Sequence, residues 1–596
     1  MRRALVLRLA AALLAVLAPA GPAPLASLAG SAQPPIFARA SQLGYLPDDA
    51  KIGVIFGGAP LPERFEIIDE RGGVAFRGAP APSAAQRWGA FTAHADLDFS
   101  ALQRPGRYRI RVPGAADSHP FRIGADVFAE AADAMLGFMR QQRCGYNPYL
   151  DVVCHRFDGR TVEGPRPAGS FMPAHGGWHD AGDTLKYLIT SSNATAQLLL
   201  AYTIAPRIWR DRTNDLGQPG GNGRPDVLDE ARWGLDWLLR LHPARGELYH
   251  MVGDDRDHSG WRLPQDDQSD YGWGKGSYRA VYFATGAPQG LGKFKSESNG
   301  VANIAGRYAA AMALAYQIWK GDPREAAFAA RCLRAGREVY ALGRAREGVQ
   351  QGNSYGAPYR YNENTWADDM EWGAAELHRA TGEAGYLADA RRYAKIIGAT
   401  SWMGRETALH YEFYPFMNAG HFRLGAGAAY YRAGLDAAAA AGARNPWQIG
   451  VPFVWCSNNL VVALATQGVM YERMTGRRTF RTFSTRQRDW LFGVNPWGTS
   501  MFTGIGAVAP SDVHIPWFQL RKESVPGGLV DGPVQQAILA SLKGVSLSRP
   551  DAFAAFQSPE AVYHDDWQDY ATNEPTMDGT ASAVLLMALQ GRGYLR

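Results

Sequence analysis

The chain has 596 residues, with 62 Lys and Arg against 57 Asp and Glu, so its formal charge is only +5. So small a surplus argues against nucleic acid or an anionic membrane as its partner. The length exceeds what one ordinary hydrophobic core fills, so at least two domains are expected.

Taken from the N-terminus, residues 1–32 read as a signal peptide: Arg2 and Arg3, an apolar run from Ala4 to Leu17, then the small residues Gly30, Ser31 and Ala32. The run is too short and too interrupted by proline to span a membrane, and no later window offers about 20 uncharged apolar residues. Export without membrane insertion is expected, to the periplasm or the medium. From residue 35 to 123 come short strands broken by turns, at 52–56, 65–69, 74–76 and 106–112. The alternation in the last places Tyr108, Ile110 and Val112 on one face, and the spacing of about ten residues predicts a small immunoglobulin-like β-sandwich.

After residue 126 the texture turns to long Ala- and Leu-rich stretches of helical periodicity, at 126–142, 193–205, 225–241, 302–320, 366–381, 384–398, 423–440, 455–475 and 479–492. Long Gly-, Pro- and aromatic-rich loops separate them, notably 249–300 and 495–535, as where loops build a site on a rigid scaffold. Helical hairpins without a fixed-period repeat predict a mainly α, (α/α)6-type barrel over 126–596, with no further module expected after its last helix. The 17 Trp and 26 Tyr suit stacking on sugar rings or simply a large core, and composition leaves both open.

Two constellations carry chemistry. In Gly176-Gly-Trp-His-Asp180-Ala-Gly-Asp183 the glycines allow a tight turn, and two carboxylates three apart share a direction if a helix begins there, holding one water between them. The alternative is an N-cap followed by a first-turn acid. Nearly four hundred residues later, Tyr570-Ala-Thr-Asn573-Glu574-Pro575 places a lone glutamate before the last apolar run, either as a cap or as an acid whose apolar neighbours keep it protonated.

These blocks resemble glycoside hydrolase family 9, in the subgroup with an N-terminal immunoglobulin-like domain. Further blocks agree in the same order: Ala40 to Pro47, Asn222 to Arg232, Asp257-His258-Ser-Gly-Trp261, Trp366-Ala-Asp-Asp-Met-Glu-Trp372, Asn495-Pro-Trp-Gly and Pro526-Gly-Gly-Leu-Val530. The resemblance implies an inverting hydrolase with Asp183 as general base, Asp180 helping to hold the water and Glu574 as general acid. Inversion needs about 6.5–9.5 Å between acid and base, to admit the water. The implied substrate is a β-1,4-linked glucan, cellulose-like or of mixed linkage, cut internally. His258 and Trp261 are implied cleft residues, with Trp178, Trp366, His514 and Tyr570 as further substrate contacts.

Cys144, Cys154, His155 and His175 offer two thiolates and two imidazoles, a tetrahedral structural zinc set that also occurs in the subgroup; a Cys144–Cys154 disulfide is the rival reading. Asp368 and Asp369 resemble an acidic pair that contributes to a calcium site, with a solvated helix start as the alternative. No organic cofactor is expected. The chain departs from the family where a His-His-Arg triplet is usual: here Asp512-Val-His514-Ile-Pro-Trp517 supplies one histidine and no aligned arginine. Gly579 stands where an aromatic is usual, and Asp578 nearby offers a carboxylate to a sugar hydroxyl or amine. These departures keep an exo-acting β-glucosidase or exo-β-glucosaminidase open, and a catalytically silent carbohydrate-binding barrel is the reading from another class.

Overall fold

The computed structural model describes residues 35–590 except 59, 259, 277, 358–360, 401 and 524–525. The expected signal peptide lies outside the described residues. Two four-stranded antiparallel sheets come first. One runs in the order Phe37–Arg39, Ile52–Gly57, Ala93–Asp98, Ala81–Pro82, the other Val74–Gly78, Phe65–Asp69, Gly106–Arg111, Phe121–Ile123. Between them Tyr45, Ile55, Phe65, Ile67, Leu97, Phe99, Tyr108 and Ile110 form a core, with Tyr108, Ile110 and Val112 buried together as alternation requires. The sandwich seats on the helical domain: Trp88 Nε1 donates to Phe556 O at 2.9 Å, and Gln42 N to Phe492 O at 2.8 Å.

Among the described residues, twelve helices build the barrel. Leu188–Ile204, Ala302–Trp319, Ala367–Thr381, Ala419–Leu424, Ser457–Thr475 and Met577–Gln590 touch in turn, and the last returns to the first, closing an inner ring. Outside them lie Ala129–Gln141, Asp226–Leu241, Ala326–Ala345, Ala384–Ile397, Ala428–Gly442 and Arg481–Trp490. Composition sorts the two rings. The inner helix Ala302–Trp319 buries every residue from Ala302 to Ala315, whereas the outer Asp226–Leu241 buries a stripe through Val227, Leu228, Ala231, Leu235 and Leu238. Gly306 lets inner helices meet closely, since a Cβ there would lie 2.3 Å from the Asp369 backbone. The helix expected over 423–440 is two helices, because Gly425 and Gly427 take left-handed φ values of 71° and 94° between them.

Short sheets inside the long loops position the site. Arg160–Val162, Ala280–Phe283, Tyr249–Val252 and Lys186–Tyr187 form one four-stranded sheet in that order. Leu529–Val530 pairs antiparallel with Pro575–Thr576. Neither sheet shows in the sequence, because strands of two to four residues carry too little periodicity to read. No helix among the described residues is long and apolar enough to cross a membrane.

Candidate active site

No helix begins at the Asp-x-x-Asp block; the first helical residue is Leu188, and residues 176–185 form a loop fixed at both ends. Gly176 and Gly177 turn it at φ values of 93° and 74°, and at Gly177 a Cβ would lie 2.7 Å from Trp237. The loop sends its aspartates to different places. Asp183 lines a pocket of about 560 Å³, its Oδ1 accepting Leu185 N at 2.7 Å and its Oδ2 standing 3.5 Å from His258 Nε2. Asp180 is buried behind it, where Oδ1 accepts the Thr190 hydroxyl at 2.7 Å and Oδ2 the Tyr361 hydroxyl.

Glu574 lines the same pocket. Its Oε1 accepts the Gly182 N–H at 2.9 Å, which ties the acid directly to the residue before Asp183. Burial, then the negative charges of Asp531 and Asp183, raise the Glu574 carboxyl well above the ordinary range. Burial lowers the His258 imidazole, but the hydrogen bond and charge of Asp183 outweigh it and raise His258 above its ordinary value. The pocket thus holds one carboxyl whose surroundings favour its protonated form and a second carboxyl beside an imidazole, an arrangement that suits acid and base catalysis on one bond.

Aromatic walls complete it. Trp261 meets His514 at 4.9 Å and Trp567 at 5.0 Å between ring centroids, both edge-on. His514 Nδ1 donates to Trp567 O at 2.6 Å, which leaves Nε2 as the free ring nitrogen. Tyr570 also lines the pocket, with its hydroxyl donating to Lys543 O at 2.7 Å. Trp455, which carries no sequence signal of its own, forms a further wall and stacks on His410 at 14° and 5.0 Å. Tyr361 was equally illegible; its partnership with Asp180 spans 181 positions.

Three expected contacts lie elsewhere. Trp178 is fully buried and donates its indole N–H to Glu230 at 2.7 Å, because the tight turn at Gly176 and Gly177 drives it into the core. Trp366 precedes the helix Ala367–Thr381 and packs edge-on against Tyr393 at 5.7 Å. Asp578 is buried at the start of the last helix, where it accepts the Tyr411 hydroxyl, so it does not face the pocket as an amine receptor would.

Beside the aspartate loop, ligand atoms of Cys144, Cys154, His155 and His179 all lie within 4.8 Å of one another. His179 takes the place expected of His175. His179 Nε2 stands 3.8 Å from Cys154 Sγ and 3.4 Å from His155 Nδ1, close to the edges of about 3.3–3.8 Å that a tetrahedral zinc with S and N ligands demands. His155 Nε2 faces Asp267 at 3.2 Å, the outer carboxylate that fixes a metal-binding imidazole, and both cysteines are free thiols rather than a disulfide. The donors therefore fit zinc. At Asp368 and Asp369 the fit is poorer: Asp369 is paired with the buried Arg307 guanidinium at 2.9 Å, so a fixed cation already answers its charge, while Asp368 Oδ1 has no protein partner. Among the described residues no other group of three or more such ligands closes as the Cys/His cluster does.

Residues 128–587 match the family described as Glycosyl hydrolase family 9, and residues 34–117 match the Cellulase N-terminal ig-like domain. Endoglucanase C of Cellulomonas fimi is 28% identical over 91% of this chain, which spans half of that protein's length. The xyloglucan-specific endo-β-1,4-glucanase BoGH9A of Bacteroides ovatus is 27% identical over 92% of both chains. Among solved structures, a metagenome-derived family 9 endoglucanase superposes with a TM-score of 0.72 at 28% identity, covering 93% of this chain and 99% of that one. A Zn-binding triple mutant of the family 9 endoglucanase J30 gives 0.71 at 26% identity, covering 92% and 99%.

Proposed function

Because the chain belongs to glycosyl hydrolase family 9, whose members act with inversion, we propose that it cuts β-1,4-glucosidic bonds within cellulose-like or mixed-linkage β-glucans. The observation that carries this reading is the shared pocket of Asp183 and Glu574, joined through the Gly182 N–H. Glu574, kept protonated by its surroundings, gives its proton to the glycosidic oxygen as the bond to the anomeric carbon breaks. Asp183, beside His258, takes a proton from the water that attacks the opposite face, so a β-linkage yields an α-product. Each proton transfer is worth about 10² to 10⁴-fold in rate.

Asp180 acts from behind. Each of its oxygens accepts one hydroxyl, and a carboxyl oxygen has a further lone pair to offer, so it keeps capacity to orient the water while anchoring Tyr361. Trp261, His258, His514 and Tyr570 form the sugar-binding wall, with Trp455 added to them. Cys144, Cys154, His155 and His179 would hold zinc, which when bound would supply structural rigidity by cross-linking the loops next to Asp180. Calcium at Asp368 would be held beside Arg307. The protein is exported by its first 32 residues to the periplasm or the medium, where its β-glucan substrate is met.

The test is product analysis on β-1,4- and mixed-linkage glucans, with the first-formed anomer read by NMR. A ladder of products, the α-anomer formed first, and loss of turnover in folded Asp183→Ala and Glu574→Ala are expected. Single sugars released from one chain end would replace the endo reading with the exo one. Normal turnover in either variant would remove the assigned acid or base.

A further inference from the structure

Behind Glu574 lies a second buried carboxyl that the reaction above does not use. Asp531 follows the strand Leu529–Val530, and Val530 stands opposite Pro575 in the ladder. The next pair is Asp531 and Glu574, with Asp531 N donating to Glu574 O at 2.9 Å. Directly opposite residues of an antiparallel pair put their side chains on one face, with Cβ atoms about 5 Å apart, and like charges there repel. Asp531 is buried behind the pocket and Glu574, part-buried, forms part of its wall, and no lysine or arginine among the described residues forms an ion pair with either. So close a pair, largely withdrawn from water and without a cation, carries one negative charge more readily than two.

The donors decide which member carries it. Glu574 receives one, the Gly182 N–H. Asp531 receives two: Trp455 Nε1 at 2.7 Å to Oδ2, and the Cys456 thiol at 3.1 Å to Oδ1. Cys456 holds that thiol from a left-handed φ of 62°, a conformation a non-glycine residue keeps only where its surroundings enforce it. Its sulfur also lies 3.3 Å from His410 Nε2, and burial pushes His410 down to about 3, so the ring is neutral and adds no counter-charge.

We propose that Asp531 is a positioning residue for the acid: it takes the single charge that the Asp531–Glu574 pair admits, so that Glu574 keeps its proton, and it holds the Trp455 wall through the same carboxyl. This rests on Glu574 being the acid. Burial raises Asp531 to about 8 and raises Glu574 well above the ordinary range, with the charge of Asp531 the second cause for Glu574, so Asp531 is the first of the pair to ionise and its charge acts on Glu574 on the alkaline side. The other groups facing the pair are Asp180 and Asp183 from the aspartate loop, His514 from the loop at 512–515, Cys456 ahead of its helix, Asp569 and Tyr570 from the final loop, and Asp578 on the last helix.

The experiment is the pH profile of kcat/KM on a soluble β-glucan for the parent, Asp531→Asn and Asp531→Ser, two neutral replacements of different shape whose folding is checked by thermal melting. Without the ionised neighbour Glu574 loses its proton at lower pH, so the alkaline limb should move down by about one unit or more, a tenfold or larger loss at a fixed pH on that limb. Rates at the acid side should stay within about threefold. On 2,4-dinitrophenyl β-cellobioside, whose leaving group needs no proton, the alkaline loss should vanish. An unmoved limb, or equal loss at every pH and on both substrates, overturns the proposal and leaves Asp531 a packing residue. A parent without β-glucan hydrolysis instead overturns the assignment of Glu574, and this proposal with it.

Discussion

The Gly182 N–H donates to Glu574 Oε1 at 2.9 Å, joining two segments 392 residues apart at the point where the Asp183 and Glu574 loops meet. A Cβ at position 182 would fall 2.4 Å from His514 O and 2.7 Å from Glu574 Oε1. The glycine is there for space, not for an unusual φ.

Gly182→Ala should therefore displace Glu574 or the His514 loop by a sizeable fraction of an ångström. Misplacement of that order costs about 10²-fold in turnover. Steady-state kinetics should show the loss mainly in kcat, with a melting temperature lowered only modestly; a kcat within threefold of the parent would mean that the contact does not set the acid's position.

For the metal site, exhaustive dialysis followed by elemental analysis should find about one zinc per chain. His179→Ala should lose it and His175→Ala should keep it, since only His179 closes the cluster. Chelation should lower the melting temperature of the parent and of His175→Ala by similar amounts and leave His179→Ala unmoved. Zinc retained in His179→Ala would return the fourth position to another residue.

The two tryptophans of the sequence motifs should separate by phenotype. Trp178→Phe removes the indole donor from Glu230, which keeps Arg143 at 2.8 Å, and should cost about 1–3 kcal/mol of stability with KM unchanged. Trp261→Ala should leave the melting temperature nearly unchanged and raise KM about tenfold, the loss of one ring face against a sugar. The reverse pattern would exchange their roles.

Much of this was legible because the signals are local. Alternating polarity around Tyr108 and Ile110 announced the sandwich, and unbroken small and apolar runs such as 302–315 announced the inner ring. Asp183, Glu574, His258 and Trp261 stand in distinctive short blocks, and all four line one pocket. Trp178 and Trp366 sat in blocks as distinctive and yet pack away from it, since a motif says that residues travel together and not which way each points.

His179 was missed in favour of His175 because both flank the same glycines, and only the turn at Gly176 and Gly177 decides which ring reaches Cys154. Trp455, Tyr361 and Asp531 had no spacing to betray them. Their partners are 76, 181 and 43 positions away. Sequence alone therefore determined the two-domain architecture and the short blocks that bring Asp183 and Glu574 to one pocket, through patterns that repeat or cluster within a few residues. The tertiary structure decided which groups close the Cys/His cluster, which aromatic rings form the wall, and that a second carboxyl sits opposite Glu574, because each depends on where the barrel closes and brings distant loops into register.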